Sequence, residues 1–435
     1  MVIVQRGIGE KYMVYKKRIM DKVLQFRLLS KGAVLITGPK WCGKTTTAKI
    51  LAKSVVNMQD PINKSQYLAL IKINPFELLK GDTPRLIDEW QIAPNLWDAV
   101  RQEVDNRGKF NQFILTGSSV PVKMDPDSHS GTGRIVAVQM RTMSLYESED
   151  SNGEISLGEI LENPNYKKTS ESSLSFDDIT YLICRGGWPQ AVLHNGEIAL
   201  QQAFDYYEAI TTQDIRMVDD VKRSPVKAKG LLKAYSRHIS TSATNKTLLA
   251  DNNQGDEKAS MSIETLNDYL EAYKKLYVIE ELEAWNPNFR SKASIRVSST
   301  RHFVDPSIAT AALHISPKDL VNDIRTCGLL FESLCIRDLR VYSDFLKGKV
   351  FHYRDNTGLE VDAIIHFNDG RWGAIEVKLG GDDIPEAIDN LLKLRDKIDI
   401  DKMKEPSFLI VLTGTKYAYK DEKGVWIIPI GCLRP

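Results

Sequence analysis

Two short segments of this sequence carry residue types that suit the binding of a polyphosphate and a divalent cation. Gly38-Pro-Lys-Trp-Cys-Gly43-Lys44-Thr45 has the spacing G-x-x-x-x-G-K-[ST], in which glycines let the backbone approach phosphates closely. Leu86-Ile-Asp-Glu89 follows downstream and ends an apolar run with two carboxylates. Lysine can reach the β and γ phosphates, threonine and aspartate can hold Mg²⁺, and glutamate can activate water. The two segments together predict a site for ATP and Mg²⁺.

Each residue of this predicted site has an expected role. We expect Thr45 and Asp88 to hold the metal and Glu89 to act as the general base. Thr116 ends another apolar run, and with the hydroxyls of Ser118 and Ser119 it is a candidate for sensing the γ phosphate. Trp41 is expected to pack within the loop, with stacking on a base as the alternative. The nucleotide-binding residues expected from the sequence are Gly38, Pro39, Lys40, Trp41, Cys42, Gly43, Lys44, Thr45, Thr46, Asp88 and Thr116.

Negative charge that develops on the phosphates during hydrolysis also calls for an arginine. Arg134, which follows Gly131-Thr-Gly133, is the preferred candidate, and Arg107 and Arg141 are the alternatives. The arginine would act within its own chain or from a neighbouring subunit of a homo-oligomer. A surface ion pair is the competing explanation for Arg134.

The elements that must position these residues are those of a parallel sheet, because short apolar runs alternate with helices from about Tyr12 to Leu145. A helix predicted from Thr45 to Ser54 would direct its N-terminus at the same anion as the loop amides. A second helix carries Leu96, Val100 and Val104 at intervals of four and ends at Gly108. The predicted strands are Ala33–Thr37, Arg85–Asp88, Gln112–Thr116 and Ile135–Met140.

A second group of charged residues lies near the C-terminus. Side chains alternate across a strand, so Glu376 and Lys378 share one face, and Asp362 comes from the preceding strand of a predicted hairpin. Asp362 and Glu376 could share a metal ion, while Lys378 orients or deprotonates an attacking water, which is the chemistry of phosphodiester cleavage. Glu332, on an apolar helix upstream, would assist. A salt-bridged pair on an exposed strand face is the alternative explanation for Glu376 and Lys378.

The predicted order of elements around this group is helix 327–345, strands 349–355, 359–367 and 371–379, helix 384–398 and strand 407–413. The segment between the two groups begins with a polar stretch, 147–178, that predicts a loop or a domain boundary. A helical region follows from Ile179 to about Ser240.

A helix that starts at Ser262 and a strand-like segment from Val278 to Trp285 suggest a winged-helix module. The helix carries apolar residues on one face: Ile263, Leu266, Leu270, Tyr273 and Leu276. Basic residues then occur at intervals in a stretch without acidic residues, from Trp285 to Val304. In a winged-helix module, the wing at this place would contact DNA phosphates. A solvated surface is the alternative explanation for these charges. These residues are Arg290, Lys292, Arg296 and Arg301.

The composition of the chain limits the classes of protein to which it can belong. The 435 residues predict two to four domains, and 58 Lys and Arg against 57 Asp and Glu give no overall basic field that would indicate nucleic-acid binding. No apolar stretch approaches the roughly 18 to 20 residues that span a bilayer, so no membrane partner is expected. The five cysteines lack zinc spacing and the N-terminus lacks a signal-peptide core, which predicts a cytoplasmic protein.

With these residues in place, the chain resembles prokaryotic AAA-type (AAA+) P-loop ATPases that carry a C-terminal restriction-endonuclease-like PD-(D/E)xK domain of unknown function. The resemblance covers nearly the whole chain, and the nucleotide loop and the C-terminal charged group are its most specific parts. The other motifs that carry it are Leu86-Ile-Asp-Glu-Trp-Gln91, Leu115-Thr-Gly-Ser-Ser119, Gly133-Arg134, Arg185-Gly-Gly-Trp-Pro189 and Val304-Asp-Pro306.

The resemblance implies an α/β protein with three parts: an ATPase domain over 1–147 with a parallel sheet and helices on both faces, a helical and winged-helix region over 148–297, and a nuclease-like domain over 298–435. The implied function is a Mg²⁺-dependent ATPase, a hydrolase, coupled to a nuclease-like module that acts on DNA. An ATP-dependent switch, in which that module serves only for interaction or DNA binding, is the alternative. A DNA-binding protein without catalysis and an ATPase that acts on proteins are the remaining alternatives.

Overall fold

The computed structural model describes residues 2–4, 13–117, 131–219, 221–287, 298–398 and 403–435. The predicted roles of Ser118, Ser119, Arg290, Lys292 and Arg296 therefore lie outside the described residues. The chain groups into two compact units, and three separate stretches form the first: Met1–Thr142, Gln213–Lys222 and Glu271–Val278. The second unit comprises Met143–Thr212, Arg223–Leu270 and Ile279–Pro435. The three-part division expected from the sequence stays a proposal.

The first unit is built on a five-stranded sheet in the order β4-β5-β6-β3-β7, in which every neighbouring pair is parallel. A separate antiparallel pair, β1 and β2, precedes it in the chain. The described strands are β1 (Val2–Val4), β2 (Met13–Tyr15), β3 (Ala33–Thr37), β4 (Ser54–Asn57), β5 (Arg85–Asp88), β6 (Phe113–Thr116) and β7 (Ile135–Gln139). The helices are α1 (Ile19–Leu28), α2 (Lys44–Leu51), α3 (Lys64–Ile73), α4 (Leu96–Arg107) and, in a later stretch, α9 (Ile215–Met217).

The four strands predicted for this sheet are confirmed. Two of them have the predicted bounds, and the other two differ by one residue at one end. Helix α4 also ends as predicted, with Gly108 in the left-handed conformation at φ 58°. The sequence patterns did not predict β4 and α3. Their apolar signal is weak, because Ile71 is the only fully buried residue of α3 and Val56 the only one of β4.

The second unit contains a seven-stranded mixed sheet in the order β10-β11-β12-β13-β15-β14-β9 and a parallel pair, β8 and β16. The strands are β8 (Ile155–Ser156), β9 (Ser170–Glu171), β10 (Gly348–Arg354), β11 (Glu360–Phe367), β12 (Trp372–Lys378), β13 (Phe408–Thr413), β14 (Tyr417–Lys420), β15 (Trp426–Pro429) and β16 (Leu433–Arg434). Every C-terminal element predicted from the sequence is present within about three residues of its expected bounds.

Helices form the rest of the second unit. They are α5 (Leu157–Glu162), α6 (Phe176–Arg185), α7 (Pro189–Val192), α8 (Gly196–Ala209), α10 (Pro225–Arg237), α11 (Asn245–Asn253), α13 (Ser307–Leu313), α14 (Pro317–Asn322), α15 (Ile324–Phe345) and α16 (Ile384–Lys397). Helix α12 (Ile263–Lys275) contributes residues to both units. None of the helices in the described ranges is long and apolar enough to cross a membrane.

The polar stretch 147–178 is more ordered than the sequence predicted. It contains β8, α5 and β9, and its two short strands pair with β16 and β14, which lie more than 200 residues later in the chain. The prediction of a loop is therefore wrong for these elements, and the alternative prediction, a domain boundary, stays a proposal. Two-residue strands carry no periodic pattern, so only their distant partners could have identified them.

The segment that was predicted to form a strand after α12 makes only isolated bridges. Ile279 and Leu282 pair with Phe303 and Thr300, and Ala284 pairs with His352. The predicted helix start is confirmed, because the Ser262 hydroxyl accepts a hydrogen bond from the Thr265 amide at 3.3 Å. The continuous strand from Val278 to Trp285 is wrong, and the winged-helix assignment stays a proposal.

A fully buried ionic group joins distant parts of the second unit. The Arg337 guanidinium donates to Asp338 Oδ1 at 2.7 and 2.9 Å and to Asp305 Oδ2 at 3.1 Å. All three side chains are at most 1% exposed. Asp305 also accepts the Gly187 amide, and Asp338 accepts the Leu145 amide, each at 2.9 Å. The motifs around 145, 185–189 and 304–306 therefore meet at one buried arginine.

Replacing Arg337 should strongly destabilise the second unit. Arg337→Met leaves Asp305 and Asp338 buried without a cation, which should lower the free energy of unfolding by about 3 to 5 kcal/mol. Urea denaturation followed by circular dichroism measures this change. Arg395→Met, which removes an exposed arginine paired with Asp396, is the matched control and should change stability by less than about 1 kcal/mol. Equal stabilities for the two variants would contradict the role of the buried group.

Candidate functional site

The predicted phosphate-binding loop connects β3 to α2 and depends on two glycines. Gly38 has φ 139° and Gly43 has φ 100°, conformations that side chains other than glycine rarely adopt. A Cβ on Gly38 would lie 2.1 Å from the carbonyl oxygen of Met140, which follows β7. The loop backbone therefore passes so close to the end of β7 that no side chain fits, and Gly43 directly precedes the first turn of α2.

Lys44 lies over this loop. Its side chain is buried, and Nζ donates to the carbonyl oxygens of Gly38 and Pro39 at 2.9 and 2.7 Å. The next residue, Thr45, donates its hydroxyl to Asp88 Oδ1 at 2.7 Å. The structure thus brings together the lysine, the threonine and the aspartate that the sequence predicted to act together.

Asp88 also links two neighbouring strands. Its Oδ1 accepts a second hydrogen bond, from the Thr116 hydroxyl at 2.5 Å, and the Thr116 oxygen in turn accepts the Glu89 amide at 3.2 Å. A hydroxyl and a carboxylate in contact are the hard oxygen donors that Mg²⁺ prefers, so Thr45 and Asp88 fit this metal. Thr116 lies deeper than its predicted role suggested, since it orients Asp88 and the backbone of Glu89.

Glu89 adopts a strained backbone. Its φ and ψ are 57° and 47°, a left-handed conformation that is uncommon outside glycine and that often marks a functional position. Gln91 donates its amide to Glu89 Oε2 at 2.5 Å. The backbone turn and this hydrogen bond fix the direction of the Glu89 carboxylate.

The candidate arginines lie at different edges of the sheet. Arg134 precedes β7, where its carbonyl accepts the Ala33 amide, so it lies at the edge opposite the loop. Its side chain is 47% exposed and pairs with Asp105 at 2.8 Å. Arg107 bonds Glu103 and the Leu79 carbonyl at that same distant edge. Arg141 follows β7 at the loop's edge, so within one chain it is better placed than the preferred candidate.

Other loop residues differ in exposure. Trp41 is 50% exposed with φ 66°, so the expectation that it packs within the loop is not supported, and stacking on a base stays a proposal. Cys42 is fully buried, and its thiol contacts the Met140 carbonyl at 3.5 Å. Lys40 is partly exposed and pairs with Asp214 at 2.6 Å.

The sequence did not predict four residues at this site: Arg18, Gln91, Asp214 and Tyr277, the last of which shares a side-chain hydrogen bond with Thr37 at the end of β3. The buried Arg18 guanidinium donates to the carbonyls of Cys42 and Arg141, each at 2.8 Å, and so supports the loop from below. Arg18, Asp214 and Tyr277 lie far from the loop in sequence, and no spacing rule connects them to it. Gln91 lies in a motif that was recognised, but its amide had no assigned partner.

The C-terminal charged group assembles on β11, β12 and α15. Ala363 pairs with Ile375 in the antiparallel register, which places Asp362 opposite Glu376. Asp362 Oδ2 accepts the Val377 amide at 2.7 Å, and Glu376 Oε2 pairs with Lys378 Nζ at 3.0 Å. The predicted alternation is confirmed.

Burial and mutual repulsion change the acidity of this group. Burial, together with the charge of Asp362, raises the pKa of Glu376 to about 9, and the two carboxyl groups share a hydrogen bond. Burial, with the charge of Asp362, also raises the pKa of Glu332 well above its usual range. Burial alone would lower the pKa of Lys378, but Asp362 and Glu376 outweigh it and raise that pKa. The lysine is thus held charged between carboxylates.

The fit of a metal to this second group is partial. Asp362 and Glu376 supply two adjacent carboxylates, which suits a divalent cation. In the part of the chain that the structure describes, however, no three His, Cys, Asp or Glu side chains are arranged to hold a metal ion. Glu332 therefore lies near the pair without completing a three-carboxylate site.

Part of the first unit matches a known protein family. Residues 30–149 match the model of an AAA domain. Residues 176–319 match a domain of unknown function (DUF8612), and residues 327–433 match another (DUF4143). Residues 30–149, which include the site described above, are therefore similar to an AAA domain, and the C-terminal match assigns no activity.

Two curated relatives have a limited overlap with this chain. The uncharacterized proteins Mb2031c of Mycobacterium bovis and Rv2008c of Mycobacterium tuberculosis are each 27% identical over 138 residues, which is 31% of this chain and 30% of the relative. The matched part thus spans less than a third of their length.

Similarity to solved structures is weak. The Aeropyrum pernix ORC2 protein, solved as ADPNP-ADP complexes, has a TM-score of 0.34 at 12% identity, covering 70% of this chain and 92% of its own. A signal transduction ATPase with numerous domains from Pyrococcus horikoshii has a TM-score of 0.24 at 15% identity, covering 80% and 50%.

Replacing Gly38 should lower the unfolding free energy of the first unit by more than the strain of a positive φ alone. Gly38→Ala places a methyl group against the Met140 carbonyl, so we expect a loss of more than about 2 kcal/mol in unfolding free energy. Gly108→Ala is the control, because Gly108 also has positive φ but has open space around it, and should cost about 1 kcal/mol. Thermal denaturation measures both. A Gly38 variant no less stable than the Gly108 variant would contradict the close approach.

Proposed function

We propose that the first unit binds ATP with Mg²⁺ and hydrolyses it. The observation that carries this proposal is the convergence of Lys44, Thr45, Asp88 and Glu89 at one edge of a parallel sheet. The match of residues 30–149 to an AAA domain supports it. The carboxyl edge of a parallel sheet, next to a helix N-terminus, is where such folds bind nucleotides.

The residues divide the chemistry among them. Lys44 reaches the β and γ phosphates by exchanging its present carbonyl partners for phosphate oxygens, since its Nζ already lies on the loop. Thr45 and Asp88 hold the metal, which when bound offsets charge on the phosphates. Glu89 accepts a proton from the attacking water. Thr116 keeps Asp88 and Glu89 in register.

An arginine is needed for the charge that develops during hydrolysis. Arg141 would act within the chain, whereas Arg134 would act on the site of a neighbouring subunit. A homo-oligomer is part of the proposal only in the second case.

As a second function, we propose metal-dependent phosphodiester cleavage at Glu332, Asp362, Glu376 and Lys378 in a nuclease-like C-terminal domain. The observation that favours it is the pair of facing carboxylates, the buried Glu376 and the partly buried Asp362, with a charged lysine beside them. Asp362 and Glu376 would hold the metal, and Lys378 would orient water. DNA is the proposed substrate, and a winged-helix region would contribute to its binding.

A switch is the competing function for the C-terminal group. In that case ATP controls the protein's interactions, and the charged group only stabilises the domain or binds DNA without cleaving it. Raised pKa values also arise in structural ion-pair networks, so cleavage itself must separate the two functions.

Lys44→Ala and Glu89→Gln should separate binding from hydrolysis. Lys44→Ala removes the phosphate cation, so both ATP binding and turnover should fall to background. Glu89→Gln keeps the shape of the side chain but not its base, so ATP should bind within about threefold of wild type while turnover falls about 100-fold or more. Calorimetry and phosphate release measure the two quantities. Unchanged turnover in folded Lys44→Ala protein would contradict the assignment.

Asp362→Asn and Lys378→Met should abolish DNA cleavage while ATP turnover persists. The first change removes a proposed metal ligand, and the second removes the water-orienting cation. Single- and double-stranded DNA, incubated with Mg²⁺ or Mn²⁺ and resolved on denaturing gels, provides the measurement. Asp389→Asn, which removes an exposed carboxylate paired with Lys423, is the control and should cleave like wild type.

Intact DNA in every wild-type reaction, under conditions in which ATP is hydrolysed, would favour the switch over the nuclease.

A further inference from the structure

Two stretches of chain return to the first unit after the chain has entered the second. Gln213–Lys222 and Glu271–Val278 belong to the first unit, although residues on both sides of each stretch belong to the second. Each stretch contacts the strand or loop that carries the phosphate-binding residues. Tyr277 shares a side-chain hydrogen bond with Thr37, the last residue of β3, and Asp214 pairs with Lys40 of the loop itself.

The Lys40–Asp214 ion pair joins a half-exposed cation to a nearly buried anion. Lys40 Nζ lies 2.6 Å from Asp214 Oδ1, and the two side chains are 41% and 9% exposed. Asp214 ends a five-residue π-helical turn, Ile210–Asp214, that interrupts the α-helical course of the chain. Such turns occur frequently at functional sites. The Asp214 carboxylate is thus nearly buried, whereas Lys40, to which it is paired, has a long and flexible side chain that is partly exposed.

A polyphosphate bound in the loop would compete with Asp214 for the same ammonium group. Lys40 lies between Gly38 and Lys44, within the segment whose amides would surround the phosphates. A carboxylate beside this segment repels an incoming polyanion, and it does so in proportion to the anion's charge. The two negative groups therefore oppose each other across one lysine.

We propose that Asp214 senses the nucleotide: binding of a di- or triphosphate draws Lys40 away from Asp214 and releases the stretch Gln213–Lys222. The inference rests on the proposed ATP-binding function and deepens it, since it assigns a regulatory partner to the same loop. Asp214 is a positioning residue here, because it acts through Lys40. The released stretch is covalently continuous with the second unit at residues 212 and 223.

Asp214→Asn tests the proposal, with Asp219→Asn as the matched control. Asp219 lies in the same stretch and pairs with Lys275 at 3.6 Å, so its replacement removes one charge without touching Lys40. Full-length Asp214→Asn should bind ATP about tenfold more tightly than wild type, and AMP within about twofold. The control should bind both nucleotides as wild type does. Calorimetry measures all six affinities at one salt concentration.

Hydrogen exchange supplies a second readout that a purely structural ion pair would not give. In wild type and in Asp219→Asn, saturating ATP should speed amide exchange in 213–219 at least about tenfold, whereas AMP should not. In Asp214→Asn, exchange should be fast already and should not respond to ATP. Unchanged exchange on ATP binding in wild type, or weaker ATP binding by Asp214→Asn, overturns the inference and leaves ATP binding intact. A wild-type protein that binds no ATP overturns the proposed function itself.

Discussion

The first unit depends on one buried carboxylate, that of Asp88. Its Oδ1 accepts hydroxyl hydrogen bonds from Thr45, at the start of α2, and from Thr116, at the end of β6. One oxygen thus connects the phosphate-binding loop and two neighbouring strands. A buried carboxylate is stable only when it has such partners, because desolvation is costly. Both partners are hydroxyls rather than cations, which leaves the carboxylate charge for a metal to offset. Under the proposed function, the interaction that holds the sheet edge together is therefore also the one that would prepare a metal site.

The second unit buries charge in two different ways. At Arg337 one guanidinium matches two carboxylates, each of which also accepts a backbone amide. That group is satisfied without any ligand, which is typical of a structural role. Around Lys378, by contrast, one ammonium faces Asp362, Glu376 and Glu332, and the excess of acid is relieved by protonation, as the raised pKa of Glu376 indicates. An excess of buried acid is the condition under which a cation could replace a proton. The contrast between the two groups is therefore one of charge balance, and structural ion-pair networks can show the same raised pKa values.

Sequence patterns predicted those parts of the fold that are local. The β3–loop–α2 unit and the helix that ends at Gly108 follow from runs of five to twelve residues, each with its own period and its own glycine. The facing of Asp362 and Glu376 was also predictable, because a hairpin register needs only the alternation of side chains. By contrast, β8 and β9 are defined only by partners far away in the chain. The position of Arg134 at the edge opposite the loop was predictable as well, because Arg134 directly precedes β7 in a parallel sheet.

The same distinction explains why the residues that surround the phosphate-binding loop could not be found from its motif. The motif names the side chains that would touch a nucleotide, and all of them come from the loop and its neighbouring strands. Their supports come from elsewhere: Arg18 precedes Cys42 of the loop by 24 residues, and Asp214 follows Lys40 by 174. A contact across such a separation closes a long stretch of chain, and the entropy of that closure must be offset by other interactions. Helix α12 and the π-helical turn supply them by returning the chain to the first unit. Lys40 belongs to the loop and pairs with Asp214 on a returning stretch of chain. Under the proposal above, a change in the charge bound at the loop therefore changes how firmly that stretch is held.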